Sequence, residues 1–312
     1  MPTLLEFLRK INIEASIALD EPMSAHTTLR IGGPADALVA PTSAESLARL
    51  VAAARAEGLP LFFLGGGANI LVGDRGIRGL VVDLRFLDEV SFASAEAGRT
   101  RLRAGAGMSM GRLCELCLAR GLAGLETFYG MPGSLGGSVY MNARCYEVEM
   151  SERLAEVAYL DGTGAPRTRR VLPGEWSYKR SPFQAGGSLA NSLILGASFD
   201  LAPAEPEPLL ATMLEKRGDR EAKGHYRLPS AGSFFKNDRR LGRPTGRILD
   251  ELGFRGKRVG DAMVSDWHAN IFVNAGRARA ADMLALVELA KETIHRSTGI
   301  EIEAEVLFIG EN

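Results

Sequence analysis

Apolar and polar positions in the first part of the chain predict a strand, a helix and a second strand within Ala35–Leu64. Thr42 and Glu45 have the spacing of a capping box, and the helix that they would open ends before Gly58. The apolar run LPLFFL predicts the second strand of this unit. A further strand is predicted at Gly79–Arg85.

The pattern changes after residue 85, where short apolar runs separated by turn residues predict several short strands around one helix at Met110–Arg120. Pro203–Pro208 (PAEPEP) is a candidate domain boundary. The segments expected after it are, in order, a charged helix LLATMLEKRGDREA, the segment GRILDELG, a strand HANIFVN, a long helix ARAADMLALVELAKETIHRSTG and a strand IEIEAEVLFIG. Strands and helices do not alternate regularly, so the prediction is an α+β fold and not a doubly wound one.

Composition narrows the classes of function. The chain has 312 residues, of which 46% are hydrophobic, which is enough for a large core and suggests two or three structural units. Its 37 basic and 38 acidic residues leave a net charge of -1, without the basic field that nucleic-acid binding favours. No apolar stretch is long enough to span a bilayer, and Met1–Lys10 lacks the features of a signal peptide. We expect a cytoplasmic monomer that binds neither nucleic acid nor membrane.

The three cysteines argue against a disulfide scaffold. Cys114 and Cys117 form a C-x-x-C pair, but they lie inside a predicted amphipathic helix and not at its start, and no second pair accompanies them. We therefore interpret both as buried structural residues and predict no metal site.

Two glycine-rich segments are built to hold negative charge. Gly65–Gly67 follow a strand-like run, and Gly130–Gly137 repeats the arrangement with four glycines. Glycine allows backbone N–H groups to turn toward one point, which is how a backbone grips a pyrophosphate. A dinucleotide fingerprint is disfavoured, because the first cluster is followed by the apolar residues ILV and not by a helix. A loop-based cofactor site and a set of tight turns between strands both stay open.

A third segment, LPSAGSFFKN, places Ser233 and Lys236 in a glycine-preceded turn between aromatic residues. Its pattern is not that of a nucleophile elbow. A serine hydroxyl can instead give a proton to a developing carbanion when a cation such as Lys236 lies nearby, and a structural turn serine is the alternative.

Charged residues elsewhere have two interpretations each. Glu301, Glu303 and Glu305 would share one face of the final predicted strand, either as a functional face or as a solvated edge. The region Glu215–Arg227 carries five cations that either solvate a helix or clamp phosphate.

Six stretches in this order resemble those of the UDP-N-acetylenolpyruvoylglucosamine reductase family, also called UDP-N-acetylmuramate dehydrogenase or MurB. They are TTLRIGGPAD, FLGGGANILV, GLETFYGMPGSLGGSVYMNA, SAGSFFKN, VSDWHANIFVN and IEAEVLFIG. The resemblance covers nearly the whole chain, and its specificity lies in their joint order and spacing. The short span from Ser181 to His225 is similar to the version of the family that lacks an extra tyrosine-bearing loop.

This resemblance implies an α+β fold with a two-part FAD-binding region of the PCMH or vanillyl-alcohol-oxidase type and a C-terminal α+β substrate domain. The expected segments are residues 1–85 and 86–202 for the two FAD-binding parts and 203–312 for the substrate domain. It also implies non-covalent FAD, NADPH as the reductant, and reduction of the enolpyruvyl ether of UDP-N-acetylglucosamine to UDP-N-acetylmuramate for peptidoglycan.

The resemblance further implies roles for single residues. Ser233 would be the proton donor and Glu305 would assist it, while Lys179 stands where the family has an arginine, with Arg180 as the alternative cation. The implied substrate contacts are Tyr178, Arg180, Lys236 and Asn237. The implied FAD contacts are Gly65, Gly66, Gly67, Ala68, Asn69, Ile70, Gly130, Pro132, Gly133, Ser134, Gly136 and Gly137.

Two other functions compete with this one. A flavoprotein oxidase of the same cofactor fold would act on a sugar or hydroxy acid, but SAGSFFKN and the segment containing Glu305 argue against it. A non-catalytic sensor of flavin or a nucleotide sugar would keep the glycine loops without any need for Ser233 and Glu305.

Overall fold

The structure is a computed structural model that describes residues 4–172 and 174–312; Met1–Thr3, at the start of the predicted segment 1–85, and Pro173, in the segment 86–202, lie outside it. The chain forms two compact units. Unit 1 comprises the described part of Met1–Ala18, with Ala37–Gly66 and Gly79–Gly218, and unit 2 comprises Leu19–Asp36, Gly67–Arg78 and Asp219–Asn312. This division reflects which parts of the chain pack together, whereas the segments 1–85, 86–202 and 203–312 were assigned by function. The functional assignment stays a prediction.

Helices and strands are mixed throughout the described residues, which confirms the α+β class. The helices are α1 Leu4–Ile11, α2 Ala44–Ala56, α3 Met110–Leu118, α4 Leu135–Tyr140, α5 Pro206–Ala222, α6 Thr245–Glu251 and α7 Ala280–Thr298. The strands are β1 Ala15–Pro22, β2 Pro34–Pro41, β3 Leu61–Leu64, β4 Ile70–Val72, β5 Ile77–Asp83, β6 Val90–Ser94, β7 Thr100–Gly105, β8 Leu122–Ala123, β9 Arg144–Cys145, β10 Val148–Glu149, β11 Leu154–Leu160, β12 Pro166–Arg170, β13 Leu193–Pro203, β14 Ser230–Ser233, β15 Arg258–Val259, β16 Ala262–Val264, β17 Ile271–Asn274 and β18 Leu307–Ile309.

The predicted strand–helix–strand unit is present as β2, α2 and β3, and β3 pairs in parallel with β5. One detail was wrong: the N-cap of α2 is Ser43, whose hydroxyl accepts from the Ser46 N–H at 3.1 Å. Thr42, which the capping-box spacing favoured, instead donates its hydroxyl to the Glu14 carbonyl at 3.2 Å. The helix therefore begins one residue later, and Gly58 follows it with φ +66°, as expected.

An antiparallel sheet forms the second part of unit 1, in the order β12-β11-β13-β7-β6, with β8 also paired to β13. Its core is packed with α3 and α4 around fully buried side chains such as Phe128, Phe199 and Leu135. The short strands predicted beyond residue 85 are thereby confirmed as one sheet. The helix α4, inside the stretch predicted as a glycine loop, was missed because its two internal glycines are poor helix formers.

Unit 2 contains a four-stranded antiparallel sheet in the order β14-β17-β16-β15. Its core includes Phe234, Phe235 and Phe272 together with apolar residues of α7 such as Leu286. A separate parallel pair joins β4 to β18, with Leu307 opposite Ile70. This pairing ties the end of the chain to the strand that follows the first glycine cluster.

The predicted final strand is much shorter than expected. Only Leu307–Ile309 is strand, so the prediction that Glu301, Glu303 and Glu305 share one face of that strand is wrong. The cause is a bend: the N–H groups of Glu305 and Val306 both point at the Phe234 carbonyl, at 2.8 and 3.5 Å. Two successive amides on one acceptor cannot belong to a regular ladder.

Cys114 and Cys117 lie on the buried face of α3, as predicted. The Cys114 thiol donates to the Leu125 carbonyl at 3.1 Å. Burial raises the pKa of the Cys114 thiol and raises that of Cys117 to about 12. Both groups therefore stay protonated and unreactive at neutral pH, which fits a structural role.

Among residues 4–172 and 174–312, no helix combines the length and the apolar character needed to cross a membrane. Nor does any group of three or more potential metal-ligating side chains occur in those ranges.

Candidate functional site

The first and second glycine loops, Gly65–Gly67 and Gly130–Gly137, approach each other within unit 1 through Gly65 and Gly66. A β-carbon at Gly66 would lie 2.6 Å from the Gly133 α-carbon, and one at Gly65 would collide with the Ser134 hydroxyl. Real β-carbons do not tolerate such distances. Gly66 is therefore required by backbone-to-backbone contact between the two loops, which favours the cofactor-loop interpretation over independent turns.

A further chain segment, which we did not single out from the sequence, packs against the second glycine loop. Ala106–Ser109, after β7, accepts backbone hydrogen bonds from Gly136 N–H and Leu135 N–H, through the Ala106 and Met108 carbonyls at 2.8 Å each. A β-carbon at Gly136 would lie 2.8 Å from that of Ala106. The signal in the sequence was the run of small residues AGAG, which begins inside β7 and continues beyond it.

The remaining residues of the second loop have defined local roles. Gly133 has φ +107°, a conformation that favours glycine, and Pro132 before it is exposed. The Ser134 hydroxyl accepts from the Gly137 N–H at 3.4 Å and caps α4. Gly130, with φ +79°, opens the loop.

Gly67, Ala68, Asn69 and Ile70 belong to unit 2. Gly67 has φ +61° and its carbonyl accepts from the Thr28 N–H at 3.0 Å. Ile70 begins β4 and is buried. The Asn69 side chain donates to the Glu305 carbonyl at 3.0 Å, and its backbone carbonyl accepts from Leu307 N–H at the same distance. Its side-chain amide thus anchors the segment that carries Glu305.

Tyr178, Lys179 and Arg180 form a tight turn in unit 1, closed by backbone hydrogen bonds between Ser177 and Arg180 in both directions. Lys179 has φ +58°, which is uncommon for a residue with a side chain. The Gln184 side chain holds the Lys179 carbonyl at 3.1 Å. Lys179 is half-buried whereas Arg180 is exposed, so the two neighbouring cations differ in their contact with solvent.

Asn142 fixes the entrance to that turn and was not singled out from the sequence. It is fully buried, with φ +42°. Its side-chain amide donates to the Ser177 carbonyl at 2.9 Å and its oxygen accepts from Ser151 N–H at 3.0 Å.

Ser233 and Glu305 become neighbours in unit 2 through a short antiparallel pairing. Lys236 N–H donates to the Glu303 carbonyl at 3.0 Å, and Glu305 N–H donates to the Phe234 carbonyl at 2.8 Å. These bonds place Phe234 opposite Glu305, with Ser233 as the next residue along the chain. Both Ser233 and Glu305 are half-buried, so each side chain keeps contact with solvent-accessible space.

The two polar residues after Phe235 are also held. The Lys236 ammonium lies 2.6 Å from a Glu303 carboxylate oxygen. The Asn237 side-chain oxygen accepts from Thr245 N–H at 3.0 Å, and the Thr245 hydroxyl donates to the Lys236 carbonyl at 2.7 Å. Lys236, the cation that we expected beside Ser233, therefore forms an ion pair with Glu303.

The basic stretch Glu215–Arg227 begins on the predicted charged helix, α5. Lys216 pairs with Glu215 at 2.6 Å and Lys223 with Asp219 at 2.7 Å. The second pair, four residues apart, is typical of a solvated helix, whereas the Lys216 side chain is only 19% exposed and its ammonium lies 4.8 Å from the centre of the Tyr146 ring.

Comparisons with known proteins identify two sequence profiles in this chain. The sequence profile of an FAD binding domain matches residues 35–168, and that of the UDP-N-acetylenolpyruvoylglucosamine reductase C-terminal domain matches residues 224–309. The two profiles bear out the predicted fold class, in which an FAD-binding region is followed by a C-terminal domain. The tight glycine contacts at Gly65, Gly66 and Gly136 fit the close backbone approach that FAD requires.

Full-length relatives carry the same name. Proteins called UDP-N-acetylenolpyruvoylglucosamine reductase from Syntrophus aciditrophicus and Geobacter metallireducens are 38% and 39% identical to this chain. The first match covers 100% of this chain and 99% of the relative, and the second covers 97% of each. The crystal structure of the enzyme of that name (MurB) from Thermus caldophilus is 32% identical, with a TM-score of 0.75 over 95% of this chain and 99% of that one.

Gly66→Ala should lower FAD retention, because its β-carbon would push the two glycine loops apart. The loss of close packing should also cost about 1–3 kcal/mol of stability. Gly111→Ala in α3 is the matched control, since nothing lies within 4 Å of the added methyl. Flavin absorbance per protein after gel filtration measures the effect; a Gly66→Ala variant as yellow as the control would contradict it.

Relatives that match nearly the whole chain at 38% and 39% identity, a solved structure of the same fold, and two sequence profiles in the expected order agree with one another. This chain belongs to the UDP-N-acetylenolpyruvoylglucosamine reductase family.

Proposed function

We propose that this chain catalyses the NADPH-dependent, FAD-mediated reduction of UDP-N-acetylglucosamine enolpyruvate to UDP-N-acetylmuramate in peptidoglycan precursor synthesis. The observation that carries the proposal is the backbone pairing that makes Ser233 and Glu305 neighbours. A cofactor-binding protein without catalysis has no need for a serine and a carboxylate in this relation. Family membership supplies the substrate class.

FAD would be held by the glycine loops, with residues 1–85 and 86–202 as the two cofactor-binding segments and 203–312 as the substrate domain. The residues that we assign to FAD are Gly65, Gly66, Gly67, Ala68, Asn69, Ile70, Gly130, Pro132, Gly133, Ser134, Gly136 and Gly137. The chemistry that FAD supplies when bound is transfer of hydride from NADPH to the methylene carbon of the enolpyruvyl group. Close backbone approach at Gly66 and Gly133 supports the assignment.

The protein's first task is to stabilise negative charge that develops on the substrate carboxylate as the double bond is lost. We assign this task to Lys179, with Tyr178 and Arg180 as substrate contacts. The rigid turn supports Lys179, because a preorganised cation in a partly dry place stabilises charge better than a mobile exposed one. Lysine offers a point charge here and not the planar fork of the family's arginine.

The second task is delivery of a proton to the carbon beside the carboxylate. We assign it to the Ser233 hydroxyl, whose oxygen must regain a proton after each turnover, and we assign its support to Glu305. Lys236 and Asn237 would contact the substrate. Anchoring of both residues by Glu303 and Thr245 supports this, because a fixed contact loses less conformational entropy on binding.

An FAD-dependent oxidase of the same cofactor fold is the second candidate, and a sensor is the third. The C-terminal profile match at residues 224–309 disfavours the oxidase. The backbone hydrogen bond from Glu305 to Phe234, which brings Glu305 beside the Ser233 segment, disfavours the sensor. We further propose that the enzyme works as a monomer in the cytoplasm, because NADPH and nucleotide sugars are available there.

Anaerobic incubation with NADPH and UDP-N-acetylglucosamine enolpyruvate should consume equal amounts of both. The product should carry two more hydrogen atoms than the substrate by mass spectrometry. Substrate-independent NADPH consumption that requires oxygen would instead favour the oxidase. Absence of any flavin reduction would favour the sensor.

Ser233→Ala should leave flavin reduction by NADPH intact and slow the later reoxidation by substrate, because only that step uses the proton. General acid catalysis of this kind is worth about 10²–10⁴-fold in rate. Ser230→Ala, in the same strand β14, is the matched control and should have little effect. Stopped-flow absorbance separates the two steps, and an unchanged reoxidation rate in Ser233→Ala would refute the assignment.

Lys179→Gln and Arg180→Gln remove one charge each from adjacent positions of the same turn. We expect the first to lower kcat by about 10²-fold, as for loss of a transition-state contact, and the second to act mainly on KM. Steady-state kinetics with varied substrate gives both values. The reverse order would transfer the role of the cation to Arg180.

A further inference from the structure

Asn270 is a buried side chain that the chemistry above does not use. It is 4% exposed and lies directly before β17 in unit 2. Its side-chain oxygen accepts from the Phe235 N–H at 2.9 Å, and its side-chain nitrogen donates to the Phe235 carbonyl at 2.8 Å. One amide side chain thus pairs with both backbone groups of a single residue, as a neighbouring strand would.

The backbone of Asn270 holds the preceding residue as well. Its carbonyl accepts from the Phe234 N–H at 2.7 Å. Phe234 then has its N–H on Asn270 and its carbonyl on Glu305. Asn270 therefore fixes the peptide groups on both sides of Phe235 in the stretch between Ser233 and Lys236.

No ionised side chain of the same length can reproduce this pattern, because the pattern needs a donor and an acceptor side by side. Aspartate keeps the acceptor for Phe235 N–H but places a second oxygen against the Phe235 carbonyl. Serine has one polar atom and cannot meet both groups. A buried carbonyl or amide left without its partner costs about 1–3 kcal/mol, so the segment would shift and not stay in place unpaired.

We propose that Asn270 positions the segment Ser233–Lys236, which delivers the proton. This proposal rests on the proposed function. It sets the backbone that carries Ser233 and, through Phe234, the register of Glu305. It acts through these residues and touches neither substrate nor cofactor in this role. Its removal should therefore impair proton delivery more than its effect on stability would explain.

The matched control, Asn274, lies at the other end of β17. Asn274 is 5% exposed and ends β17, where its side chain also donates to backbone carbonyls, of Leu29 and Arg30, and accepts from the N–H groups of Gly276 and Ala278. Asn270→Asp and Asn274→Asp remove the same donor and keep the same acceptor. We expect both to lower the melting temperature, which makes stability alone uninformative.

Hydrogen exchange by mass spectrometry on the full-length holoenzyme gives the first readout, independent of activity. Asn270→Asp should speed amide exchange in peptides containing Phe234–Lys236 and Glu305. Asn274→Asp should speed exchange near Gly276 and leave those peptides unchanged. Equal exchange of the Ser233 segment in both variants would overturn the proposal. If Asn270→Asp does not fold, Asn270→Ser provides the same comparison.

Stopped-flow absorbance gives the second readout. Asn270→Asp should leave flavin reduction by NADPH near wild type and slow reoxidation by substrate by about 10–100-fold, as a small misplacement of a reacting group does. In a Ser233→Ala background the same change should add about twofold or less, because two residues that act through one step are not additive. Full additivity, or equal slowing by Asn274→Asp, would overturn the proposal.

These readouts distinguish failure of the proposed function from failure of the positioning role of Asn270. If wild-type protein shows no reoxidation by the enolpyruvyl substrate, the proposed function fails, whatever Asn270 does. If wild type completes the cycle and Asn270→Asp behaves as Asn274→Asp, only the positioning role fails.

Discussion

The hydrogen bond from Glu305 N–H to the Phe234 carbonyl is the constraint on which the candidate chemistry of unit 2 depends. It makes neighbours of Ser233 and Glu305, which lie far apart in sequence. Asn69 holds the other side of the Glu305 peptide, and Asn270 holds the other side of Phe234. Each polar backbone group of this short pairing that we have described is thus satisfied by a buried or half-buried partner. Such closed networks keep reacting groups fixed while the surrounding apolar core supplies stability.

Unit 1 also depends on closely packed backbone, here at the glycine loops that would hold the cofactor. A cofactor that carries a pyrophosphate needs backbone groups close together and no side chains in the way. Gly66 against Gly133, and Gly136 against Ala106, bring three chain segments within van der Waals contact. The surrounding strands β7 and β13 and the helix α4 hold those segments, so the close approach is part of the fold.

The sequence predicted what depends on local pattern. Strands, long helices, buried cysteines in α3 and the glycine loops all follow from periodicity and from the conformational freedom of glycine. It failed where a distant partner decides. The N-cap of α2 is Ser43 and not Thr42, and the chain bends at Glu305, before the short final strand, because the Phe234 carbonyl accepts from two successive amides. Asn270 and Asn142 could not be found for the same reason. Their importance lies in which backbone groups they meet, and no local pattern records that.

The most direct test of the whole account is the visible spectrum of the purified protein, followed without oxygen through one cycle. We predict a yellow protein that bleaches when NADPH is added and regains its colour when UDP-N-acetylglucosamine enolpyruvate follows. A protein that bleaches but stays colourless with this substrate would contradict the assigned acceptor. A colourless protein that takes up no added FAD would contradict the account as a whole.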